Sequence, residues 1–247
     1  MDRKQGMGPD NSRRKQLMKI HASIMDTSSL NKIVFPIGRV TPNGVSLLGT
    51  GFIANKMGMI VTSAHVVNND DNNLVLVLKE SFASGSNGLN VYQDTADSLV
   101  QYINAKIIRI DPIHDLCILK IDNDVASNIR ISSSDNIQVA DEVCIVGYPH
   151  CDRGRMVLTY QESTVGAKIL IESAAIKTKH IVLNMQTRPG QSGSPVFNKV
   201  DSSLVAIIIG SYAPTGAGGI SIGGIDPLTL HQTTHAISAE YLTKMLQ

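Results

Sequence analysis

Arg188-Pro189-Gly190-Gln191-Ser192-Gly193-Ser194-Pro195-Val196 sets a serine in a tight Gly-x-Ser-Gly turn and runs directly into an apolar, strand-like segment. A serine hydroxyl becomes a nucleophile when a base takes its proton, and that base needs an acid to hold its tautomer. Two upstream stretches offer the partners. Gly49-Thr50-Gly51-Phe52-Ile53 leads to Ile60-Val61-Thr62-Ser63-Ala64-His65-Val66-Val67, where an apolar run ends on a histidine whose ring can face a cleft. Asp111-Pro112-Ile113-His114-Asp115-Leu116-Cys117-Ile118-Leu119-Lys120 places an acid immediately before another apolar run. Each stretch is weak alone, since a lone histidine in a β-rich chain is usually structural or exposed. Together, the order His65, Asp115, Ser192 supplies base, orienting acid and nucleophile. Asp111 is the alternative acid, but Asp-Pro starts turns, and the apolar run after Asp115 favours Asp115. Glycine at 190 lets the N–H groups of Gly190 and Ser192 point at a developing oxyanion without obstruction.

Around these stretches the chain reads as short β-like runs cut by Gly, Asn, Asp and Pro. Candidates are Ile33–Val40, Val45–Ile53, Ile60–Ala64, Leu74–Leu78, Ala105–Ile110 and Leu116–Ile121. After a polar connection come Glu142–Val146, Met156–Tyr160, Ala167–Ile171, His180–Met185, Ser194–Phe197 and Leu204–Ile209. This turn-rich spacing favours antiparallel sheets or barrels over βαβ units. Ser81–Ser98 reads as a polar surface excursion, and Tyr212–Thr234, with five glycines, as a long loop that either is solvated or gates a pocket. Ser12–Met25 carries Leu17, Ile20 and Ile24 at helical spacing among basic residues, so a short amphipathic helix is expected there. Ser238 is the expected N-cap of a closing helix.

Composition narrows the class. The 247 residues are 43% apolar and 17% charged, with 22 basic and 21 acidic side chains and a net charge of +1. That is a packed globular chain with no whole-protein case for nucleic acid or an anionic membrane. Leu204 to Ile209, the longest apolar run, is too short to span a bilayer. The N terminus shows no apolar leader, and three cysteines without Cys-x-x-Cys spacing argue against a disulfide framework. The expected location is therefore cytoplasmic. His150-Cys151-Asp152 lacks a second ligand cluster, so neither a metal nor an organic cofactor is expected.

The segments Gly-Thr-Gly-Phe-Ile, Thr-Ser-Ala-His-Val-Val, Asp-Pro-x-x-Asp-Leu-x-Ile-Leu-Lys and Pro-Gly-x-Ser-Gly-x-Pro-Val resemble trypsin-like serine peptidases, the HtrA-type proteolytic domain most nearly. Gly-Gln-Ser-Gly-Ser-Pro-Val-Phe-Asn is also similar to bacterial glutamyl endopeptidases. The resemblance implies an all-β, chymotrypsin-like fold of two six-stranded antiparallel barrels with the site between them. A basic N-terminal arm and helix would occupy 1–31 and the protease domain 32–247. Within it, the first barrel would cover about 32–121, the connection 122–138, the second barrel about 139–237 and a C-terminal helix 238–247. It implies a serine endopeptidase acting through an acyl-enzyme, with His65, Asp115 and Ser192 as triad and the Gly190 and Ser192 amides as oxyanion hole. The substrate pocket would be formed by Gln186, Thr187, Ile208 and Gly210. The partner implied is a protein or peptide substrate; separately, because a cytoplasmic protease risks indiscriminate cutting, either narrow specificity or control by a regulatory protein partner is expected. The competing reading is a catalytically inactive trypsin-like module that binds peptides.

Departures from the family pattern shape two further expectations. Secreted digestive members carry an acid before the nucleophile to receive a newly cleaved N terminus, whereas Gln191 offers no charge. Pocket residue Gln186 is neutral, and the stretch Val205–Gly210 lacks the histidine with which glutamyl endopeptidases read an acid. A small or medium uncharged residue, aliphatic for preference, is expected before the cut, because a desolvated substrate charge without a partner is costly.

Overall fold

The computed structural model describes residues 27–79, 88–96, 100–122, 125–212 and 233–247. The expected N-terminal helix, most of the glycine-rich loop and part of the polar excursion lie outside them.

Six strands form a first closed barrel: β1 (Val34–Thr41), β2 (Gly44–Ile53), β3 (Ile60–Ser63), β4 (Leu74–Lys79), β5 (Val100–Asp111) and β6 (Leu116–Ile121). Around the barrel the order is β1-β2-β3-β6-β5-β4. A second closed barrel, in the order β10-β11-β12-β9-β8-β7, uses β7 (Glu142–Gly147), β8 (Thr159–Ser173), β9 (Ile176–Leu183), β10 (Pro195–Asn198), β11 (Leu204–Tyr212) and β12 (Thr233–Ser238). The strand pairings within both barrels are antiparallel. This is the chymotrypsin-like architecture expected from the sequence.

Continuous apolar runs follow from burial on both strand faces. Side chains alternate along a strand, so Cys117, Leu119 and Ile121 of β6 fill the first barrel while Leu116 and Ile118 point to the layer between barrels. β7 does the same from the other side: Val143 and Ile145 enter the second barrel, and Cys144 and Val146 meet the shared layer. Phe52, Tyr148 and Phe197 supply that layer's largest buried side chains. Burying one such aliphatic or aromatic side chain is worth about 1.5–3 kcal/mol, which ties the two barrels together.

Two strand readings change. Thr159 and Tyr160, the end of the expected Met156–Tyr160 run, belong with Ala167–Ile171 to one strand, β8, which crosses Gly166 through an irregularity between Val165 and Ala167, while Met156–Leu158 lie before it. β12 replaces the end of the expected loop and was missed because Thr233-Thr234-His235 carries no apolar alternation. At the C terminus a 3-10 turn (Ala239–Tyr241) precedes the short helix Leu242–Met245. Ser238 stands at the N-cap of that turn, as expected, but its side chain makes no capping hydrogen bond; its hydroxyl accepts from the Ser134 N–H at 3.0 Å and donates to Glu240 Oε2 at 3.3 Å. The Arg109 guanidinium donates to the Met245 carbonyl at 2.7 Å, a cation at the helix C-terminal end that fastens it to the first barrel.

His180 on β9 gives the fold a pH dependence. It is buried, its Nε2 lies 2.8 Å from the Thr178 hydroxyl, and its Nδ1 has no partner among the described residues. Burial, then the neighbouring His235 and His114, push its pKa down to about 4. The unfolded chain therefore binds a proton that the folded chain refuses between the ordinary histidine value and about 4. Stability should fall as pH drops through that window, by on the order of 2–3 kcal/mol from this residue. Denaturant titrations from pH 7 to 4 should show a shallower loss in His180→Gln; equal slopes would assign the effect elsewhere.

Candidate active site

β3 ends at Ser63, and the single-turn helix Ala64–Val67 that follows carries His65 at its start. His65 Nδ1 lies 2.6 Å from Asp115 Oδ2, and the His65 N–H donates to Asp115 Oδ1 at 2.9 Å. The Ala64 N–H donates to the Asp115 carbonyl at 3.0 Å, so the acid is gripped by side chain and main chain together. Asp115 adopts φ 53°, a left-handed conformation that a short polar side chain tolerates better than most. Half of the His65 side chain and over a quarter of that of Asp115 reach solvent. Asp111 is engaged elsewhere. Its Oδ1 accepts from the Ile113 and His114 N–H groups, and its Oδ2 lies 2.6 Å from His114 Nδ1, which closes the turn. The His114 ring in turn stacks on Tyr241, with centroids 3.9 Å apart.

The serine turn is held at each successive peptide. The His150 N–H donates to the Pro189 carbonyl at 2.6 Å, the Thr50 hydroxyl to the Gly190 carbonyl at 2.9 Å, the Ser194 N–H to the Gln191 carbonyl at 3.0 Å, and the Thr50 N–H to the Ser192 carbonyl at 2.9 Å. In a trans peptide the N–H points opposite the preceding carbonyl, and no described peptide bond is cis. Pinning the Pro189 and Gln191 carbonyls therefore aims the N–H groups of Gly190 and Ser192, and neither has an acceptor among the described residues. Two adjacent donors aimed together form an oxyanion-binding arrangement. Gly190, at φ 88°, is required: a Cβ there would lie 2.7 Å from both Cys151 Sγ and the Tyr148 carbonyl.

The two halves meet through Ile208. Its carbonyl accepts from the Gly193 N–H at 2.8 Å and from the Ser63 hydroxyl at 3.1 Å, which sets the serine turn beside the residues leading to His65. Gln191 is fully buried; its Oε1 accepts from the Arg188 N–H at 2.7 Å and its Nε2 donates to Gln161.

The residues assigned to the pocket lie on one strand, β11, and on the loop after β9. Gln186 is exposed and Thr187 buried, and the Thr187 N–H donates to the Thr234 hydroxyl at 2.9 Å. Ile208 is buried, while Gly210 pairs with His235, and among the described residues nothing lies within 4 Å of where its Cβ would stand. Thr234, Gln161 and Cys151 support these loops, and the sequence assigned none of them this role. Thr234 lies on the strand that was missed, nothing local marks Gln161, and Cys151 was in view only within His150-Cys151-Asp152. Thr50 was in view within Gly-Thr-Gly but carried no role of its own. Among the described residues no three His, Cys, Asp or Glu side chains converge as metal ligands.

Comparison with known proteins adds the family context. The family model for the trypsin-like peptidase domain matches residues 49–207. A protein of Rickettsia conorii named "probable periplasmic serine endoprotease DegP-like" is 30% identical over 184 residues, covering 74% of this chain and 32% of that protein. A protein of the same name from Pseudomonas fulva is 27% identical over 164 residues, covering 65% of this chain and 28% of its own length. The chain thus spans about a third of the length of these curated relatives. Among solved structures, the MamO protease domain from Magnetospirillum magneticum superposes with a TM-score of 0.61 at 17% identity, covering 89% of this chain and 98% of that one. The HtrA-type protease AlgW with a decapeptide gives a TM-score of 0.61 at 17% identity, covering 90% of this chain and 66% of that one. At this identity the structures show a shared fold.

The expected cytoplasmic location is overturned by these two curated relatives, both of which are named as periplasmic. The step from cysteines to compartment failed for a physical reason. Cys117, Cys144 and Cys151 are free and buried, and burial raises their pKa values to about 12, 11 and 12. Such thiols are small core side chains, and their number reports packing rather than the redox state of a compartment.

Proposed function

Because this chain belongs to the trypsin-like peptidase family, we propose that it is a serine endopeptidase in which Ser192 is the nucleophile, His65 the base and Asp115 the acid that orients it. The observation that carries this reading is the 2.6 Å contact between His65 Nδ1 and Asp115 Oδ2. With Nδ1–H donated to the carboxylate, Nε2 is the ring's basic atom, as proton abstraction from a serine requires. Ser192 Oγ attacks the scissile carbonyl carbon as its proton passes to His65 Nε2. The oxygen, now negative, is received by the Gly190 and Ser192 N–H groups. His65 then gives the proton to the leaving amine, and water releases the acyl group by the same steps in reverse.

The substrate class is protein or peptide chains, and we assign the work to the periplasm, the compartment its relatives are named for. Gln191 is neutral and hydrogen-bonded at both ends of its amide, so nothing there receives a cleaved N terminus. We assign control instead to substrate or to a regulatory protein partner. Gln186, Thr187, Ile208 and Gly210 would form the pocket for an uncharged aliphatic residue before the cut; Gln186 brings no charge and, among the described residues, nothing lies within 4 Å of a Gly210 Cβ.

A fluorophosphonate probe tests the chemistry and a peptide library the pocket. Wild-type protein should label at Ser192 and Ser192→Ala should not. Lack of wild-type labelling would favour an inactive peptide-binding module. A preference above about 100-fold for Lys, Arg or Glu over Val, Leu and Ala would refute the pocket assignment, since one methylene changes rates by only ~10–200-fold.

A further inference from the structure

We propose that Thr50, on the first barrel, is a positioning residue for the oxyanion hole on the second. The inference rests on the acyl-transfer reading above and deepens it. Thr50 is fully buried and engages four groups. Its N–H donates to the Ser192 carbonyl at 2.9 Å and its hydroxyl to the Gly190 carbonyl at 2.9 Å. The same hydroxyl accepts from the Tyr148 N–H at 3.1 Å, and the Thr50 carbonyl accepts from the Thr62 hydroxyl at 2.7 Å.

The two carbonyls that Thr50 holds belong to the residues whose N–H groups receive the oxyanion. Gly190 sits at φ 88° without a side chain, so its own torsions resist reorientation weakly. A carbonyl fixed on one side of Gly190 and the Pro189 carbonyl fixed on the other leave its N–H one direction. Tyr148, whose N–H meets the Thr50 hydroxyl, precedes His150, whose N–H holds Pro189. One hydroxyl therefore ties together both supports of the hole. The neighbouring Gly49 permits the approach, since a Cβ there would lie 2.8 Å from Val66 Cγ2 and 3.1 Å from the Ser192 carbonyl.

Valine matches threonine in shape but lacks the hydroxyl; it would strand the Tyr148 N–H in a buried site and leave the Gly190 carbonyl only the weak Cys151 Sγ–H donor at 3.6 Å. Removing one oxyanion donor outright costs about 10²–10³ in kcat, so misaiming one should cost about 10–100-fold. Thr50→Val should lower kcat by that factor with KM within about threefold of wild type, as expected when a transition-state interaction alone is lost. Thr50→Ser, which restores the hydroxyl, should recover kcat to within about threefold of wild type, and Thr50→Cys, with a weak donor, should fall between.

A second readout separates positioning from general damage. Affinity for a peptide aldehyde, whose adduct presents an oxyanion, should fall in parallel with kcat. Affinity for an uncleaved peptide, measured in a Ser192→Ala background, should hardly move. All rates are referred to folded protein by circular dichroism, and if Thr50→Val does not fold the Thr50→Cys and Thr50→Ser pair decides. Equal losses in aldehyde and peptide affinity, or no loss of kcat in either weakened variant, would overturn the proposal while wild type stays active. A wild type inert to fluorophosphonate would overturn the acyl-transfer reading and this one with it.

Discussion

Ser192→Ala and His65→Ala are each expected to lower kcat by about 10⁶-fold, and Asp115→Asn by about 10⁴-fold, as members of a triad that act as a unit. Double variants should lose little more than single ones, because a serine without its base is already a poor nucleophile. The Asp115 variant is the sharper test. Asparagine tolerates the φ of 53° at this position, so the turn should survive. It cannot hold the imidazole in the tautomer that leaves Nε2 basic, however, so the loss should lie in kcat rather than in folding. Asp111→Asn provides the contrast. Asp111 is bonded to His114 and to the turn, and its loss should reduce melting temperature more than turnover. Rate constants and melting curves on purified variants decide it. Full activity in Asp115→Asn with an inactive, folded Asp111→Asn would reverse the assignment.

Gly193→Ala should abolish the native join between barrels. A Cβ at Gly193 would lie 2.1 Å from the Thr50 carbonyl oxygen and 2.5 Å from the Thr62 hydroxyl, and the residue sits at φ 86°. The first neighbour is main chain of a buried strand, which cannot swing aside as a flexible side chain could. A cost above about 4 kcal/mol is expected from the clash and the strained backbone together. For a domain of this size that corresponds to a melting temperature lowered by roughly 8–16 °C or more. Gly154→Ala isolates the backbone contribution. Gly154 has φ 81° but nothing within 4 Å of a Cβ, so alanine there should cost about 1–2 kcal/mol. Similar melting temperatures for the two variants would mean that the barrels can part at Gly193 at little cost.

Residue chemistry in the chain was legible before any coordinates. The apolar run Leu116–Ile121 was readable as a strand because a strand buried on both faces needs apolar residues at every position. The turn around Ser192 was readable because Gly190 and Gly193 both occupy left-handed backbone, which is where glycine is needed. The break placed between Tyr160 and Ala167 was not a turn, because Gln161–Gly166 continue β8 through an irregularity between Val165 and Ala167. β12 was hidden because its residues are chosen by their neighbours: Thr234 serves the Met185–Thr187 loop, and Ala236 and Ile237 fill cores already lined by other strands.

By itself, the sequence determined the β-rich class, the turn that carries Ser192 and the candidate base and acids, all of which depend on residue type and short-range spacing. The sequence favoured Asp115 over Asp111, but only the tertiary structure shows which carboxylate reaches His65, because the two lie four positions apart and differ in where the turn between them aims each one. It alone supplied Thr50, whose partners lie 98 and 140 residues away. A hydrogen bond over that separation exists only once both barrels have closed and packed, and no local pattern in the chain encodes it.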